Sequence, residues 1–151
     1  MISVHPINNQ TELTEFIKFP FKLYKNCPYW VPPITKEEKA FMDPLKNPVF
    51  KNAEASFFVA KKHRKIVGRI AAIVNWVEVN QQQKRKVRFG WYDVEDDIQI
   101  SQKLLEAVIS FGKQKKLDFI EGPVGFSNMD KAGLLCEGFD KLNSMNTWYH
   151  Y

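Results

Sequence analysis

The sequence contains little of the chemistry that builds metal centres or disulfide frameworks. It has two cysteines in 151 residues, Cys27 and Cys136, and three histidines, His5, His63 and His150. No Cys or His stands at the short spacing that metal sites use, and two distant cysteines indicate reduced thiols. The sequence therefore predicts no metal site and no histidine-based triad, and it gives the histidines no role.

Long apolar runs and a leader-like N-terminus are also missing. The longest apolar run, residues 70–74 and their flanks, is far shorter than the roughly 20 residues of a membrane-spanning helix. The first ten residues have neither the charged nor the apolar segment of a signal peptide. We therefore expect a cytoplasmic protein with no membrane partner.

Apolar and aromatic residues, by contrast, are abundant enough for a packed core. Hydrophobic residues make up 44% of the chain, which includes 12 Phe and 4 Trp. No internal repeat or Gly/Ser linker divides it. The sequence predicts one domain over residues 1–151.

The first third of the chain predicts one strand and short helices. Ile2, Val4 and Ile7 indicate a strand, and a helix begins near Thr11. Pro20 is expected to end or kink that helix at Phe19, because proline has no N–H to donate. Residues 27–33 contain three prolines, which disfavour regular helix and central strand. We therefore expect an ordered loop there that carries aromatic side chains. Residues 35–38 read as a capping box that opens another short helix.

The middle of the chain contains the clearest strands. Residues 56–60 and 66–74 are β-branched and aromatic, and they flank the basic segment KKHRK, which indicates an antiparallel hairpin. Gly68 predicts a bulge or a close backbone approach in the second strand. A glutamine-rich connection then leads to a strand at residues 87–93.

A helix and a further strand follow. Asp96 and Asp97 are predicted to cap a helix with a regular apolar face, and Asp96 and Gln99 have the spacing of a capping box. Residues 117–121 form the next strand. A strand, helix and strand in succession indicate a right-handed parallel crossover, so the predicted fold class is α/β (α+β) with a mixed sheet.

This order of elements resembles the GNAT (Gcn5-related N-acetyltransferase) fold: strand, one or two helices, a three-strand antiparallel meander, helix and parallel strand. Three segments carry a more specific resemblance, FIKFPFKLY at residues 16–24, WVPP at 30–33 and GLLCEGFD at 133–140. They resemble the N-terminal part of a group of longer, uncharacterised bacterial GNAT-like proteins. The resemblance implies that the last hairpin of the fold is absent and that the domain is incomplete.

The resemblance also implies where acetyl-CoA or another acyl-CoA would bind. In the GNAT family it lies between the fourth and fifth strands, which here assigns cofactor contacts to the strand backbone of Phe89, Gly90, Trp91 and Tyr92. Its pyrophosphate meets the start of the next helix, where the family has a motif of Arg or Gln with small residues. Residues 96–101 contain no glycine and two aspartates, so this acyl-CoA site is predicted to be degenerate.

A loop after the last predicted strand is the candidate ligand site. It follows the carboxyl end of that strand, where open parallel sheets place ligand crevices. Its candidate residues are Gly122, Pro123, Ser127, Asn128 and Asp130. The alternative is a structural turn that caps a helix at residues 130–132.

The remaining candidate functional features are four tryptophans and two basic segments. Trp91 is predicted to be core, whereas the aromatics at residues 29–30 and 148–151 are predicted to be surface or interface residues. The basic segments 61–65 and 84–88 are read as solvated turns, with contact to an anionic ligand or nucleic acid as the alternative.

Three functional hypotheses follow. The first is a binding or interaction module on a GNAT-like scaffold, with a small-molecule ligand or with self-association through an exposed sheet edge. The alternative is an acyl-CoA-dependent N-acyltransferase acting on an amine, as the resemblance implies, whose catalytic residues the sequence leaves unassigned. The third, nucleic-acid binding, rests on net charge alone.

Overall fold

A computed structural model describes residues 1–142 and 150–151 of the chain. Nine helices and strands are named below for these residues, and a 3-10 turn covers Pro48–Lys51. In chain order they are β1 (Ile2–Pro6), α1 (Gln10–Leu23), α2 (Thr35–Phe41), β2 (Ala53–Lys62), β3 (Lys65–Asn75), α3 (Trp76–Asn80), β4 (Lys86–Val94), α4 (Ile98–Gln114) and β5 (Phe119–Glu121).

The five strands form one mixed sheet in the order β1-β2-β3-β4-β5. The first four strands pair antiparallel, and β5 pairs parallel to β4 over three residues. The predicted α+β fold class, hairpin and parallel last strand are therefore confirmed.

The central strand β3 is buried on both faces of the sheet. Ile70, Ala72 and Val74 pack in the core under α4, whereas Ala71 and Ile73 pack in the core under α1 and α2. Successive side chains of a strand point to opposite faces, so a strand covered on both sides needs a continuous apolar run. This explains the run at residues 70–74.

Gly68 lies where α4 crosses the sheet. A Cβ at this position would stand 2.9 Å from Leu104 Cδ1, and the register between β2 and β3 shifts beside it. Both the predicted bulge and the predicted close approach are present, and the missing side chain lets α4 lie against β3.

Four local predictions are wrong. Thr35 does not cap α2, because the N-cap is Ile34 and it makes no side-chain cap bond. The glutamine-rich connection contains the short helix α3, whose N-cap Asn75 accepts hydrogen bonds from the N–H groups of Val77 and Glu78. Residues 130–132 form no helix.

The fourth wrong prediction is the end of the helix at Phe19, because Pro20 lies inside α1, which continues to Leu23; the alternative of a kink stays a prediction. Because proline has no N–H, the carbonyl of Phe16, four residues earlier, cannot receive its usual donor. The guanidinium of Arg69 supplies one instead, since Nη1 donates to the Phe16 oxygen at 3.0 Å. A side chain from β3 thus completes the hydrogen bonding of α1 at the proline.

Arg69 belongs to a buried network on the face of the sheet that carries α1. Its Nε donates to Asp93 Oδ2 at 2.7 Å, and its guanidinium carbon lies 4.9 Å from the centre of the Phe16 ring. Asp93 Oδ1 accepts from the Tyr24 hydroxyl at 2.9 Å. Arg69 is 4% exposed and Asp93 7%. Buried charges of this kind are tolerated only when they are paired and hydrogen-bonded.

Replacing Arg69 with Met should lower the free energy of unfolding by about 3–5 kcal/mol, because Asp93 would stay buried without its cation. The same replacement should cost about 1 kcal/mol less in a Pro20→Ala background. There the alanine N–H can donate to the Phe16 carbonyl, so Arg69 no longer has to. Urea unfolding of the four proteins measures both effects.

The control is Arg85→Met, which removes an ion pair with Asp118 in which both side chains are at least half exposed. Its cost should stay under about 1 kcal/mol. If the cost of Arg69→Met is the same with and without Pro20, the account of the proline site is incorrect.

Candidate functional site

The candidate site begins at an irregularity in β4. Between the pairs Ala71↔Gly90 and Arg69↔Asp93, two residues of β4, Trp91 and Tyr92, lie opposite one residue of β3. Such a bulge re-aims side chains locally, and Trp91 adopts a left-handed φ of 46°. Its indole is 8% exposed and packs in the core under α1 and α2, so the prediction of a core Trp91 is confirmed.

The segment after β5 continues along β4. The N–H of Val124 donates to the carbonyl oxygen of Phe89 at 2.7 Å, and the Gly122–Pro123 peptide bond is cis. A Cβ at Gly90 would lie 2.6 Å from the Val124 oxygen, so only glycine permits this approach. At residues 89–90, where the resemblance implies backbone contacts to acyl-CoA, the chain itself therefore lies against one side of the strand.

Arg88 anchors the predicted ligand loop to the sheet. Its guanidinium donates to the Gly125 carbonyl at 3.3 Å and to Asn128 Oδ1 at 2.8 Å. On its other side it makes two hydrogen bonds to Glu78, at 3.0 and 2.6 Å. Arg88 is only 2% exposed, so it holds the loop from inside the protein.

Glu78 stays ionised in this buried position. Burial raises its pKa, but the hydrogen bonds and charges of Arg88 and Lys86 outweigh burial and bring the pKa below its usual value. Lys86 lies 3.4 Å from Glu78 and 2.6 Å from Glu121. Lys86 and Arg88, two of the four cations of the basic segment 84–88, are therefore internal, which removes them as contacts for an external phosphate.

The remaining loop residues form a tight turn. The N–H of Ser127 donates to Asp130 Oδ2 at 2.7 Å, and the Ser127 hydroxyl accepts from the Met129 N–H at 3.1 Å. The Pro123 carbonyl accepts from the N–H of Gly133 at 2.9 Å. Of the predicted loop side chains, Asp130 lines a pocket, whereas Asn128 accepts a hydrogen bond from Arg88.

We call this pocket the α2–β4 pocket. It has a volume of about 240 Å³ and lies between α2, the β4 bulge and the loop after β5. Its lining residues are Glu37, Glu38, Phe41, Trp91, Gly125, Asp130, Lys131 and His150. The Trp91 indole N–H donates to Glu38 Oε2 at 2.8 Å, which fixes one carboxylate against the aromatic wall.

His150 contributes a neutral imidazole to the α2–β4 pocket. Burial lowers its pKa to about 4, and the charges of Lys131 and Arg69 act in the same direction against Asp93 and the Gly133 carbonyl. His150 Nδ1 lies 3.3 Å from the Gly133 carbonyl oxygen. Since a carbonyl oxygen only accepts, the neutral ring carries its proton on Nδ1 and leaves Nε2 as an acceptor.

Sequence reasoning missed three of these residues for different reasons. Glu38 was assigned to a capping box, and His150 has no neighbour in sequence that marks it as a site residue. Arg88 was counted with a surface cluster, although it lies between Val87 and Phe89 in a strand. A cation inside an apolar strand is a usable signal for a buried, paired charge.

The start of α4 is capped by one of the two aspartates that precede it. Asp97 is the N-cap, and its Oδ1 accepts from the Gln99 N–H at 3.0 Å, so the predicted pairing of Asp96 with Gln99 is wrong. One amide at this helix end, where the resemblance implies a phosphate contact, is therefore bonded to the protein's own carboxylate. Lys62 Nζ lies 3.3 Å from Asp97 Oδ2. A capping carboxylate and a lysine therefore meet at the start of α4.

Two kinds of feature are absent from the described residues, a metal-binding cluster and a membrane-spanning helix. In residues 1–142 and 150–151, no group of three or more His, Cys, Asp or Glu side chains is arranged to hold a metal ion. Within the same ranges, no helix is long and apolar enough to cross a bilayer. The predicted surface aromatics at 148–149 lie outside the described residues.

The low pKa of His150 predicts a pH dependence of stability. The folded state binds this proton less readily than the unfolded state, so stability is complete above pH 6.5 and falls as the pH drops toward 4. The expected loss is roughly 3 kcal/mol over that range. The difference between wild type and His150→Gln in urea unfolding at several pH values isolates this effect. A difference that does not change between pH 7 and pH 4 would contradict it.

Two curated bacterial proteins are similar in sequence. Protein YghO of Escherichia coli (strain K12) is 35% identical over 132 residues, which are 87% of this chain and 34% of YghO. The bacterial ceramide synthase of Caulobacter vibrioides (strain NA1000 / CB15N) is 31% identical over 140 residues, which are 92% of this chain and 36% of the synthase. The chain spans about a third of the length of these relatives.

No model of a protein family matches the chain, whereas solved structures do. An aminoglycoside acetyltransferase from an uncultured soil metagenomic sample superposes with a TM-score of 0.55 at 17% identity, covering 82% of this chain and 78% of that one. A GNAT-family acetyltransferase of Staphylococcus aureus gives 0.54 at 19% identity, covering 81% and 73%. The likeness is one of fold, and the chain has the GNAT-like fold.

Proposed function

We propose that the α2–β4 pocket binds the amine acceptor of an N-acyltransferase. The observation that carries the proposal is the lining: the carboxylates of Glu37, Glu38 and Asp130 surround a small pocket with an aromatic wall. Carboxylates and aromatic faces both attract an ammonium group. One lysine, Lys131, shares the lining, so the acidic groups outnumber the basic one.

For N-acyl transfer, the chain must bind the substrate as an ammonium ion and remove its proton. An alkylamine is protonated at neutral pH, and only the neutral amine has a lone pair that can attack a carbonyl carbon. Glu38 is held in place by Trp91, and His150 offers an unprotonated Nε2. In this proposal Glu38 orients the amine and accepts its proton, whereas His150, whose pKa of about 4 makes it a weak base, only accepts a hydrogen bond at Nε2.

Apolar side chains close to the pocket support an acceptor with a hydrocarbon chain. Phe41 lines the pocket and is 37% exposed; Ile34, at the start of α2, is 62% exposed; Met129, next to Asp130, is 90% exposed. A ceramide is the amide of a long-chain amino alcohol, and one relative is named a ceramide synthase. A long-chain amino alcohol is therefore the first acceptor to try.

A non-catalytic binding module is the second candidate. The start of α4 favours it, because Asp97 already accepts from the Gln99 N–H at the helix end where a donor pyrophosphate would bind. In that case the pocket would still bind an amine but transfer nothing to it. Self-association through the outer edge of β5, where Phe119 is 51% exposed, remains part of this second proposal.

The test is an acyl-transfer assay with Glu38→Gln. The protein is mixed with acetyl- or palmitoyl-CoA and with sphinganine or ethanolamine, and the free thiol and the amide product are measured. Gln keeps an oxygen that can accept from Trp91 but loses the negative charge. We expect kcat/KM to fall by about 10²-fold or more, because binding and deprotonation of the ammonium both weaken.

Glu106→Gln on the exposed side of α4 is the matched control and should leave turnover unchanged. Amine binding without turnover, weakened by Glu38→Gln, would reject the transferase and retain the binding module. If the pocket variant neither changes turnover nor weakens amine binding, the assignment of the pocket is wrong.

A further inference from the structure

A second and larger cavity lies away from the α2–β4 pocket. It runs along one flank of α1 and is closed on the other side by the turn between β2 and β3, with a volume of about 1200 Å³. We call it the α1 groove. The half-buried side chains of Leu23 and Ile66 supply most of its apolar surface, since Phe19 and Val67 are only 4% and 5% exposed. Since α1 has 14 residues, the groove follows a helix about 21 Å long.

The walls of the α1 groove are predominantly basic. Five lysine and arginine residues line it against two glutamates, Glu15 and Glu95. The basic residues are Lys18, Lys22, Lys62, Arg64 and Lys65. Among the described residues, only Lys62 of these five forms an ion pair, with Asp97. Four cations therefore face the groove or its rim without a counter-charge of their own.

The hairpin turn that contains Arg64 and leads into Lys65, two of these four cations, is conformationally costly. His63 and Arg64 are the two central residues of the hairpin turn and have φ values of 51° and 66°. Two-residue hairpin turns with both φ angles positive favour Asn-Gly, because other side chains are strained in the left-handed region. This chain places a histidine and an arginine there instead. Strain retained at a surface position indicates a functional use of those side chains.

We propose that the α1 groove binds an acidic, amphipathic polypeptide segment of a partner protein. The unpaired cations select a partner with carboxylates, and the apolar surface between them accepts its hydrophobic side chains. The cavity exceeds the roughly 300–1,000 Å³ of small-molecule sites, and its length matches a helix of about four turns.

Two features of the groove disfavour other polyanions. Glu15 and Glu95 interrupt the basic lining, which suits a partner of mixed character better than an unbroken row of phosphates. Two rings line it, but Phe19 is 4% exposed, so His63 is the one exposed ring, whereas single-strand sites stack successive bases on several aromatic side chains. A concave groove also fits a single segment better than the plane of a bilayer.

The test uses a fluorescein-labelled peptide of 16 residues with leucine on one helical face and glutamate on the other. Its binding to the intact protein is followed by fluorescence anisotropy at low and high salt. Arg64→Glu with Lys65→Glu should lower the affinity at least tenfold, because charge reversal repels the peptide. Lys103→Glu with Lys113→Glu, on α4, changes the net charge equally and should alter the affinity less than twofold.

A second variant separates binding from folding. His63→Asn with Arg64→Gly installs the residues that this turn conformation favours, so Tm should rise by about 3 °C while the peptide affinity falls. Stability and binding thus change in opposite directions, which a damaged fold cannot produce.

Two controls extend the measurement to a 20-nucleotide single-stranded DNA and to vesicles with 30% phosphatidylglycerol. Equal losses in both double-charge variants would overturn the proposal, because net charge alone would then explain binding. It would also be overturned if the DNA or the vesicles bind more tightly than the peptide and lose affinity with Arg64→Glu and Lys65→Glu. Neither result depends on Glu38 or on acyl transfer, so this proposal can fail separately from the proposed function.

Discussion

The buried guanidinium of Arg69 is the contact on which the arrangement of α1 and β4 depends. It replaces the hydrogen bond that Pro20 cannot make, and it pairs with Asp93 at the end of β4. Asp93 in turn accepts from the Tyr24 hydroxyl, whose oxygen also lies 3.1 Å from the carbonyl oxygen of Tyr151. One cation therefore joins the helix, two strands and the last residue of the chain, beside the neutral imidazole of His150.

Arg88, near the start of β4, is a second buried cation that joins separate parts of the chain. Val87 belongs to the core under α4, so alternation along the strand directs Arg88 to the face that carries α1 and α2. There it joins Glu78 to the loop that contains Gly125 and Asn128. The pocket thus lies between two elements, the β4 bulge and the loop, whose positions are set by buried charges and not by apolar packing alone.

The sequence predicted the elements better than the site. The hairpin, α4 and the parallel β5 follow from periodicity and capping, which are local properties. Pro20 was misread because its partner, Arg69, is 49 residues away and only the folded sheet brings them together. Likewise Glu38, Trp91 and His150 come from three distant segments. Asp130 was predicted because it follows a strand at its carboxyl end, where topology alone indicates a ligand site.

A crystal structure with a bound long-chain primary amine tests the central claim most directly. We expect the amine nitrogen within about 3.5 Å of a Glu38 or Asp130 carboxylate oxygen and its alkyl chain against Phe41. An amine bound elsewhere, or a pocket that excludes it while the rest of the fold is unchanged, would contradict the account.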